Sequence, residues 1–140
     1  MLSNSSKYAL KAVVYIATKS SAENKLLVKE IAEKTNVPKP FLSKILQQLA
    51  ANDLLSSTKG PHGGFFITEN QLKNSVMDIV IETEGRDKLQ QCFLNFENCN
   101  SQNPCPVHDF IAPAKEALRK SLQQVTIKEL KEQGNLNFIT

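Results

Sequence analysis

Three cysteines and one histidine lie in a single polar segment of the 140-residue sequence, and their side chains are good metal ligands. Six residues separate Cys92 from Cys99, five separate Cys99 from Cys105, and His108 follows three positions after Cys105. Three thiolates and one imidazole can fill the four terminal positions of a two-iron cluster. Structural zinc sites usually contain ligand pairs only two to four residues apart, so these wider gaps favour iron–sulfur over zinc.

Zinc binding and redox-active thiols stay open, because the spacing also matches neither common ferredoxin pattern. Structural disulfides are disfavoured, since the cysteine count is odd and no signal peptide is recognisable, which predicts a cytosolic protein. No run of apolar residues is long enough to span a membrane. No orienting group for a catalytic cysteine, no carboxylate pair and no phosphate-binding loop stands out. We therefore expect neither an enzyme nor a small-molecule substrate.

The cysteine segment is followed by a predicted long helix. The segment itself is rich in asparagine, serine and glutamine and is expected to be ordered by a metal. The helix is predicted from about Asp109 to Gln124, with Pro113 at its start, where a missing N–H costs little. Residues on this helix step by three and four positions, as in a coiled coil: Ile111, Ala114, Leu118, Ser121 and Val125. Thr126 to Glu129 matches a capping box for a short last helix, and the tail beyond Gly134 is expected to be loose.

The first half of the chain predicts a winged helix-turn-helix. Periodicity and capping signals predict helices over residues 5–19, 28–34, 39–52 and 76–84, with Asn36 in the tight turn before the third helix. Two β-prone runs, 54–58 and 65–68, flank a glycine-rich hairpin tip. The third helix is expected to direct five side chains inward: Phe41, Leu42, Ile45, Leu46 and Leu49. The predicted fold class is mainly α with a small β-hairpin wing and a long C-terminal helix.

Charge is distributed unevenly along the chain. Up to Thr68 there are nine lysines and four acidic residues, a net charge of +5, whereas the remainder carries −2. A basic first half in this order of elements predicts binding to double-stranded DNA, with the third helix in the major groove. The candidate DNA contacts lie on that helix and on the wing: Lys39, Phe41, Ser43, Lys44, Gln47, Lys59, Gly60, Pro61, His62 and Gly63.

These features together resemble the bacterial iron–sulfur cluster regulators of the IscR/NsrR type. The resemblance runs from Ser5 to about Leu130 and is carried by several motifs. They are Tyr-Ala-Leu at 8–10, Lys-Glu-Ile-Ala-Glu at 29–33, Lys-Gly-Pro-His-Gly-Gly-Phe at 59–65, and the three-cysteine segment before a long helix.

The resemblance implies three units: a winged helix-turn-helix at 1–84, a cluster-binding loop at 85–108, and a dimerisation helix with a tail at 109–140. It implies a homodimer that binds an operator of approximate two-fold symmetry and acts as a repressor. The implied dimer seam is Ile111, Ala114, Leu118, Ser121, Leu122 and Val125. The implied cluster ligands are Cys92, Cys99, Cys105 and His108.

The resemblance also bears on the type of cluster. In nitric-oxide-sensing members a carboxylate at the start of the first helix is the fourth ligand, whereas here Lys7 and Tyr8 stand there and the nearest acid in sequence is Glu23. This favours a 2Fe-2S cluster with His108 over a nitric-oxide-responsive 4Fe-4S cluster. A cluster-free or zinc-bound regulator with a thiol switch is the other alternative. Lys59, His62 and Ser43 depart from the usual arginine, glycine and acidic residue, so operator preference does not carry over.

Overall fold

The computed structural model describes residues 2–134, 136 and 137. Six helices and a two-stranded antiparallel sheet lie in this part of the chain. In chain order they are α1 (Asn4–Lys19), α2 (Val28–Thr35), α3 (Lys39–Ala51), β1 (Ser56–Thr58), β2 (Gly64–Phe66), α4 (Val76–Glu84), α5 (His108–Gln124) and α6 (Ile127–Gln133). Single 3₁₀ turns precede α4 at Gln71–Lys73 and follow it at Lys88–Gln90.

Helix α1 lies at the centre of the fold. Its small residues Ala9 and Ala12 are fully buried beside Val13 and Ile16, so neighbouring helices can approach closely. It packs against α2, α3, α4 and α6. The core of the winged helix is therefore assembled around this single helix.

The α2–α3 pair has the predicted tight turn. Asn36 ends α2 in the left-handed conformation, with φ 55° and ψ 38°, and the Val37 N–H donates to the Ala32 carbonyl at 3.2 Å. One expectation for α3 is wrong, because Phe41 is 61% exposed. It precedes Leu42 by one position, so its side chain leaves the helix about 100° away from that buried residue.

The wing is a hairpin in which Ser56 pairs with Phe66 and Thr58 with Gly64. Its strands are shorter than predicted, because Leu55 and Ile67 at the outer ends lie in the core instead of continuing the ladder. On the other side of β2, Leu26 forms an isolated antiparallel bridge with Phe65, and the two residues exchange backbone hydrogen bonds at 2.8 and 2.9 Å.

Glycine is required where this bridge crosses the hairpin. A Cβ atom on Gly64 would lie 2.8 Å from the Leu26 carbonyl oxygen, and its φ of 147° disfavours other residues. The wing is therefore joined to the segment that enters α2.

Helix α4 begins and ends as predicted. Ser75 and Asp78 form a reciprocal capping box, and Gly85 ends the helix with its N–H bonded to the Ile81 carbonyl. The chain comes back to this helix after α5, because Val76 N–H donates to Val125 O and Ile127 N–H to Asn74 O, both at 2.9 Å.

Helix α5 differs from the expectation at its N-terminus. It starts at His108, so Pro113 lies in its second turn. Because proline has no backbone N–H, the Asp109 carbonyl four residues earlier receives no helical hydrogen bond from position 113. The whole of α5 is described, and none of its residues is buried. The predicted capping box of α6 is confirmed, with Thr126 and Glu129 bonded reciprocally.

The end of the chain packs back on the core. Ile127 is 2% exposed and belongs to the core formed around α1. Of the expected loose tail, residues 135 and 138–140 lie outside the described residues, whereas Leu136 packs against the same core. None of the helices in the described part of the chain combines the length and hydrophobicity needed to span a bilayer.

Candidate metal centre and nucleic-acid interface

The cysteine segment is held by short backbone turns rather than by a core. Asn95 N–H donates to the Cys92 carbonyl at 2.9 Å, and Asn100 and Asn103 exchange backbone hydrogen bonds at 3.1 and 3.2 Å. The His108 N–H donates to the Cys105 carbonyl at 3.0 Å, which sets the last cysteine against the start of α5. All three thiols are free and half-buried.

The four predicted ligand side chains come together in two close pairs. Cys92 Sγ lies 3.5 Å from Cys105 Sγ, and Cys99 Sγ lies 3.3 Å from His108 Nδ1. All three sulfur atoms are within 4.8 Å of one another. Among the described residues, these three cysteines are the one group of potential metal ligands whose donor atoms all lie so close together. His108 is not part of that group, but its ring nitrogen contacts the Cys99 sulfur.

This donor set fits a thiophilic metal group. Two ligands on one tetrahedral metal with bonds of about 2.3 Å lie about 3.8 Å apart, close to both observed pair distances. Each pair can hold one metal of a binuclear cluster if the two pairs move apart, since all three sulfurs lie within 4.8 Å of one another. The three sulfurs are also close enough to surround a single zinc ion after small shifts. The arrangement therefore accommodates either group.

Hydrogen bonds within the segment separate the acidities of the thiols. Desolvation raises the pKa of Cys92, but hydrogen bonds from the backbone of Phe96 and Leu94 and from the Cys105 thiol outweigh it and lower the pKa to about 7. The Cys105 N–H, 3.3 Å from Cys99 Sγ, lowers the pKa of Cys99, but desolvation and the neighbouring thiols raise it overall. Cys92 therefore forms a thiolate more readily than Cys99.

The predicted DNA contacts on α3 and the wing face solvent. Lys39, Phe41, Lys44 and Gln47 on α3 are exposed, and Ser43 is half-buried. At the hairpin tip Gly63 is half-buried, and the other four residues are exposed: Lys59, Gly60, Pro61 and His62. None of the predicted DNA contacts is therefore buried.

The comparisons with known proteins agree with this architecture. Residues 2–133 match the model of the Rrf2 family, which is described as an iron-dependent transcriptional regulator. The chain belongs to the Rrf2 family. Its members are transcriptional regulators, which confirms the prediction that this chain is not an enzyme.

Individual relatives are distant but cover nearly the whole chain. An HTH-type transcriptional regulator of Aquifex aeolicus (strain VF5) is 31% identical over 93% of this chain and 90% of its own length. The regulator NsrR of Shouchella clausii (strain KSM-K16) is 27% identical over 92% of this chain and 87% of its own length.

Solved structures show the same fold. CymR, the global cysteine regulator of B. subtilis, superimposes with a TM-score of 0.76 at 20% identity, covering 96% of this chain and 98% of that one. T. potens IscR gives a TM-score of 0.73 at 18% identity, covering 100% of this chain and 92% of that one. The winged-helix fold and the resemblance to this group of regulators are thereby confirmed.

The six residues of the implied dimer seam fall into two groups in this Rrf2 chain. Leu122 and Val125 are half-buried and pack within the subunit against Val76, Met77 and Val80 of α4. The other four are exposed or half-buried and are not part of that cluster: Ile111, Ala114, Leu118 and Ser121.

An open apolar groove of about 520 Å³ lies beside three of these four residues. On α5 it is lined by Ile111, Ala114, Lys115 and Leu118, and on the other side by Lys88, Leu89, Gln91, Cys92, Phe93 and Asn95. Phe93, which lines this groove, is 64% exposed. Three other large apolar side chains in this part of the chain are also exposed: Leu94 at 46%, Phe96 at 56% and Phe110 at 83%. Their exposure was not predicted from the sequence.

Two charged residues near the sites were missed by sequence reasoning. Lys25 lies 5.6 Å above the ring of Phe66 in β2, so a cation from outside the hairpin joins the wing surface. Glu84, at the end of α4, accepts a hydrogen bond from the Ser3 N–H at the start of α1. The start of α1 therefore has a carboxylate beside it, which the local sequence does not reveal because it comes from a distant element.

Proposed function

We propose that this Rrf2-family protein is a homodimeric DNA-binding repressor whose operator affinity is controlled by an iron–sulfur cluster. The proposed ligands are Cys92, Cys99, Cys105 and His108, and the proposed cluster is 2Fe-2S. The observation that carries this proposal is the grouping of the ligand atoms into two close pairs, at 3.5 and 3.3 Å. When bound, such a cluster supplies reversible one-electron chemistry and sensitivity to oxidants.

The two close pairs give the proposed assignment of the ligands to the two irons. Cys92 and Cys105 would hold one iron, and Cys99 and His108 the other. The second pair joins a loop residue to the first residue of α5, so loading the site would fasten the loop to that helix.

The exposed residues of α3 and the wing support DNA binding. Lys39 and Lys44 are suited to phosphate contacts, and Gln47 to a base edge in the major groove. The half-buried Gly63 keeps the wing tip narrow, since a Cβ atom there would lie 2.3 Å from the Thr58 carbonyl oxygen. A narrow tip with Lys59 beside it suits close approach to the phosphate backbone or the minor groove.

The exposure of α5 supports a homodimer formed along this helix. A 17-residue amphipathic helix without a buried residue is unusual for a folded protein, and a second copy would cover its apolar stripe. Leu89 and Phe93 extend that stripe, since they line the same groove as Ile111 and Leu118. Contiguous exposed apolar surface of this kind is typical of an interface.

A short path connects the cysteine segment to the DNA-binding helix. The segment starts directly after α4, and α4 packs against α1, α3 and α5. Gln48 of α3 donates to the Glu82 carbonyl oxygen, and Asn52, which caps the end of α3, donates to the Glu82 carboxylate, each at 2.7 Å. Loading the site would bias the equilibrium between two placements of α3 in the dimer, through α4.

The first experiment is anaerobic purification followed by visible spectroscopy and analysis of iron, sulfide and zinc per monomer. The proposal expects about two irons and two sulfides, with visible bands that disappear in Cys92→Ala and change in His108→Ala. One zinc and no colour after anaerobic reconstitution would refute the cluster. An unchanged spectrum in His108→Ala would move the fourth ligand elsewhere.

The regulatory part is tested by capture of genomic DNA fragments with loaded and cluster-free protein. We expect fragments with two-fold symmetric sites, bound with different affinity by the two forms. Equal affinity for every site would refute control by the cluster, and no captured DNA would refute the DNA-binding function.

A thiol switch without a metal is the second candidate. The 3.5 Å separation of the Cys92 and Cys105 sulfurs favours it, because two thiols at that distance can form a disulfide when a peroxide is the oxidant. Peroxide treatment of cluster-free protein, followed by mass spectrometry, distinguishes this reading. A Cys92–Cys105 linkage that changes DNA affinity in protein unable to hold iron would support it.

A further inference from the structure

Lys115 lies on the same face of α5 as the proposed ligand His108. His108, Ile111, Ala112 and Lys115 are spaced as residues of one helical stripe. Together with Cys92 and Cys105 they line a small cavity of about 20 Å³. Side chains on a helix lean toward its N-terminus, so the Lys115 side chain is directed toward the cysteine segment.

The Lys115 ammonium donates a hydrogen bond to the Gln91 carbonyl oxygen. Gln91 immediately precedes Cys92, so this bond holds the backbone that carries the first thiol. The segment has no core of its own, since residues 90–98 are exposed apart from the half-buried Cys92. A single side-chain tether from α5 therefore has a large effect on where Cys92 lies.

The charge of Lys115 also suits this place. Among the described residues that line the small cavity, it is the one with a permanent charge, and it is half-buried. Three thiolates bound to metal carry negative charge, and reduction of a bound cluster adds one more. A partly buried cation close to them is screened less than a surface lysine, so it favours the more negative state.

We propose that Lys115 is a positioning residue for the cysteine–histidine site, which fixes Cys92 through the Gln91 carbonyl and compensates the negative charge of the loaded, reduced centre. This inference rests on the proposed function for the cluster, but it concerns a residue outside the ligand set. The expected effect is a loss of metal affinity, because removal of a hydrogen bond that supports a metal site commonly weakens metal binding about 10–100-fold.

The test compares Lys115→Met, which keeps the length but removes the charge and donor, with Lys115→Arg, which keeps both. Lys120→Met is the matched control, because Lys120 is on the same helix, is 63% exposed and lies 4.0 Å from Glu116. Methionine and lysine have similar helix propensities, so α5 itself is expected to be retained. Circular dichroism of each variant verifies this.

The first readout is Co²⁺ binding to the metal-free, reduced protein, measured by the thiolate-to-cobalt absorption. We expect Lys115→Met to bind Co²⁺ about tenfold more weakly than wild type, and Lys115→Arg and Lys120→Met to bind within about threefold of it. Equal affinity in wild type and Lys115→Met would overturn the positioning role. Absence of Co²⁺ binding by the wild type would overturn the site itself.

The second readout is the reduction potential of the reconstituted cluster, which a merely structural role would not move. Loss of a nearby cation disfavours the reduced state, so the potential of Lys115→Met is expected to be lower than that of wild type and of Lys115→Arg. Identical potentials in the three proteins would overturn charge compensation. If no iron assembles in the wild type, the proposed cluster fails, whereas the Co²⁺ titration still decides whether Lys115 supports the site.

Discussion

At the scale of single residues, the proposed DNA-binding surface contains lysines that form no ion pair in the described part of the chain. Lys44 on α3 and Lys59 at the wing tip are both exposed, and neither forms an ion pair in the described part of the chain. Each contact between such a lysine and a phosphate releases about one condensed counterion from the duplex. Binding through these residues is therefore expected to weaken as salt concentration rises.

We expect Lys44→Ala and Lys59→Ala each to weaken binding to a captured genomic site by about 1 kcal/mol or more and to reduce the salt slope by about one. The measurement is fluorescence anisotropy at several salt concentrations. Lys128→Ala on α6 is the control, since Lys128 is exposed but lies on neither α3 nor the wing. Unchanged affinity and slope in both variants would mean that DNA docks on another surface.

The candidate ligands could be predicted from residue type and spacing, whereas the residues that support the sites could not. The thiols and imidazole are rare side chains close together in sequence, so their type and spacing indicate a metal site. Lys115, Glu84 and Lys25 come to the sites from other elements. Lysine and glutamate on a helix most often face solvent, so only the folded structure distinguishes these three from the rest.

At the scale of elements, the α2–α3 turn requires a residue that tolerates a positive φ. Asn36 adopts φ 55°, and the side chain of an ordinary residue clashes with the backbone there. We expect Asn36→Ala to destabilise the fold by about 1 kcal/mol and Asn36→Gly to be close to neutral. Urea unfolding measures both, and Asn70→Ala, at an exposed residue with φ −67°, is the control. A glycine variant as unstable as the alanine variant would contradict this account.

The junction of α1 and α4 has a charge-dependent cap. Burial raises the pKa of Glu84, but hydrogen bonds from the backbone and side chain of Ser3 outweigh it, so the pKa is lowered. A carboxylate at a helix N-terminus also interacts favourably with the helix dipole. Because the folded-state pKa is lowered, this contribution is present above the unfolded-state pKa of about 4.3 and is lost as pH falls through the folded value.

We expect Glu84→Gln to be less stable than wild type by about 0.3–1 kcal/mol at pH 7, a range that allows for solvent screening. The difference is expected to shrink below about pH 4 as the wild-type carboxylate is protonated. Thermal unfolding across this range measures it, with Glu69→Gln at an exposed position as the control. A difference between Glu84→Gln and wild type that does not vary with pH would show that charge is not its source.

Elements with a regular local signal were predicted well, and tertiary contacts determined the remainder. The capping box at Thr126 and the left-handed Asn36 are encoded within a few residues, and both are confirmed. The ends of the β-strands depend on whether Leu55 and Ile67 are taken into the core, which no local pattern specifies. The bridge from Leu26 to the wing joins residues 39 positions apart, so sequence periodicity cannot reveal it.

At the scale of the whole molecule, most of the long helix α5 is not covered by the rest of the chain, and none of its residues is buried. Leu122 and Val125, at the C-terminal end of α5, already pack on α4, so the N-terminal part of the stripe is the surface left for a second copy. Ile111 and Leu118 are half-buried there beside the open groove. Two winged-helix units joined in this way would present two α3 helices to a two-fold site, which couples dimerisation to DNA affinity.

We expect Leu118→Glu to weaken the dimer, because it places a charge in an apolar seam next to its symmetry mate. Sedimentation at micromolar concentration is expected to show a shift toward monomer, with at least tenfold weaker binding to a captured two-fold site. Gln123→Glu is the control, because Gln123 is exposed on α5 and retains an acceptor for Arg119, whose N–H donates to it at 2.8 Å. If Leu118→Glu and the control sediment alike as dimers, the seam lies elsewhere. If the variant is monomeric yet binds the site with wild-type affinity, two copies are not required for DNA recognition.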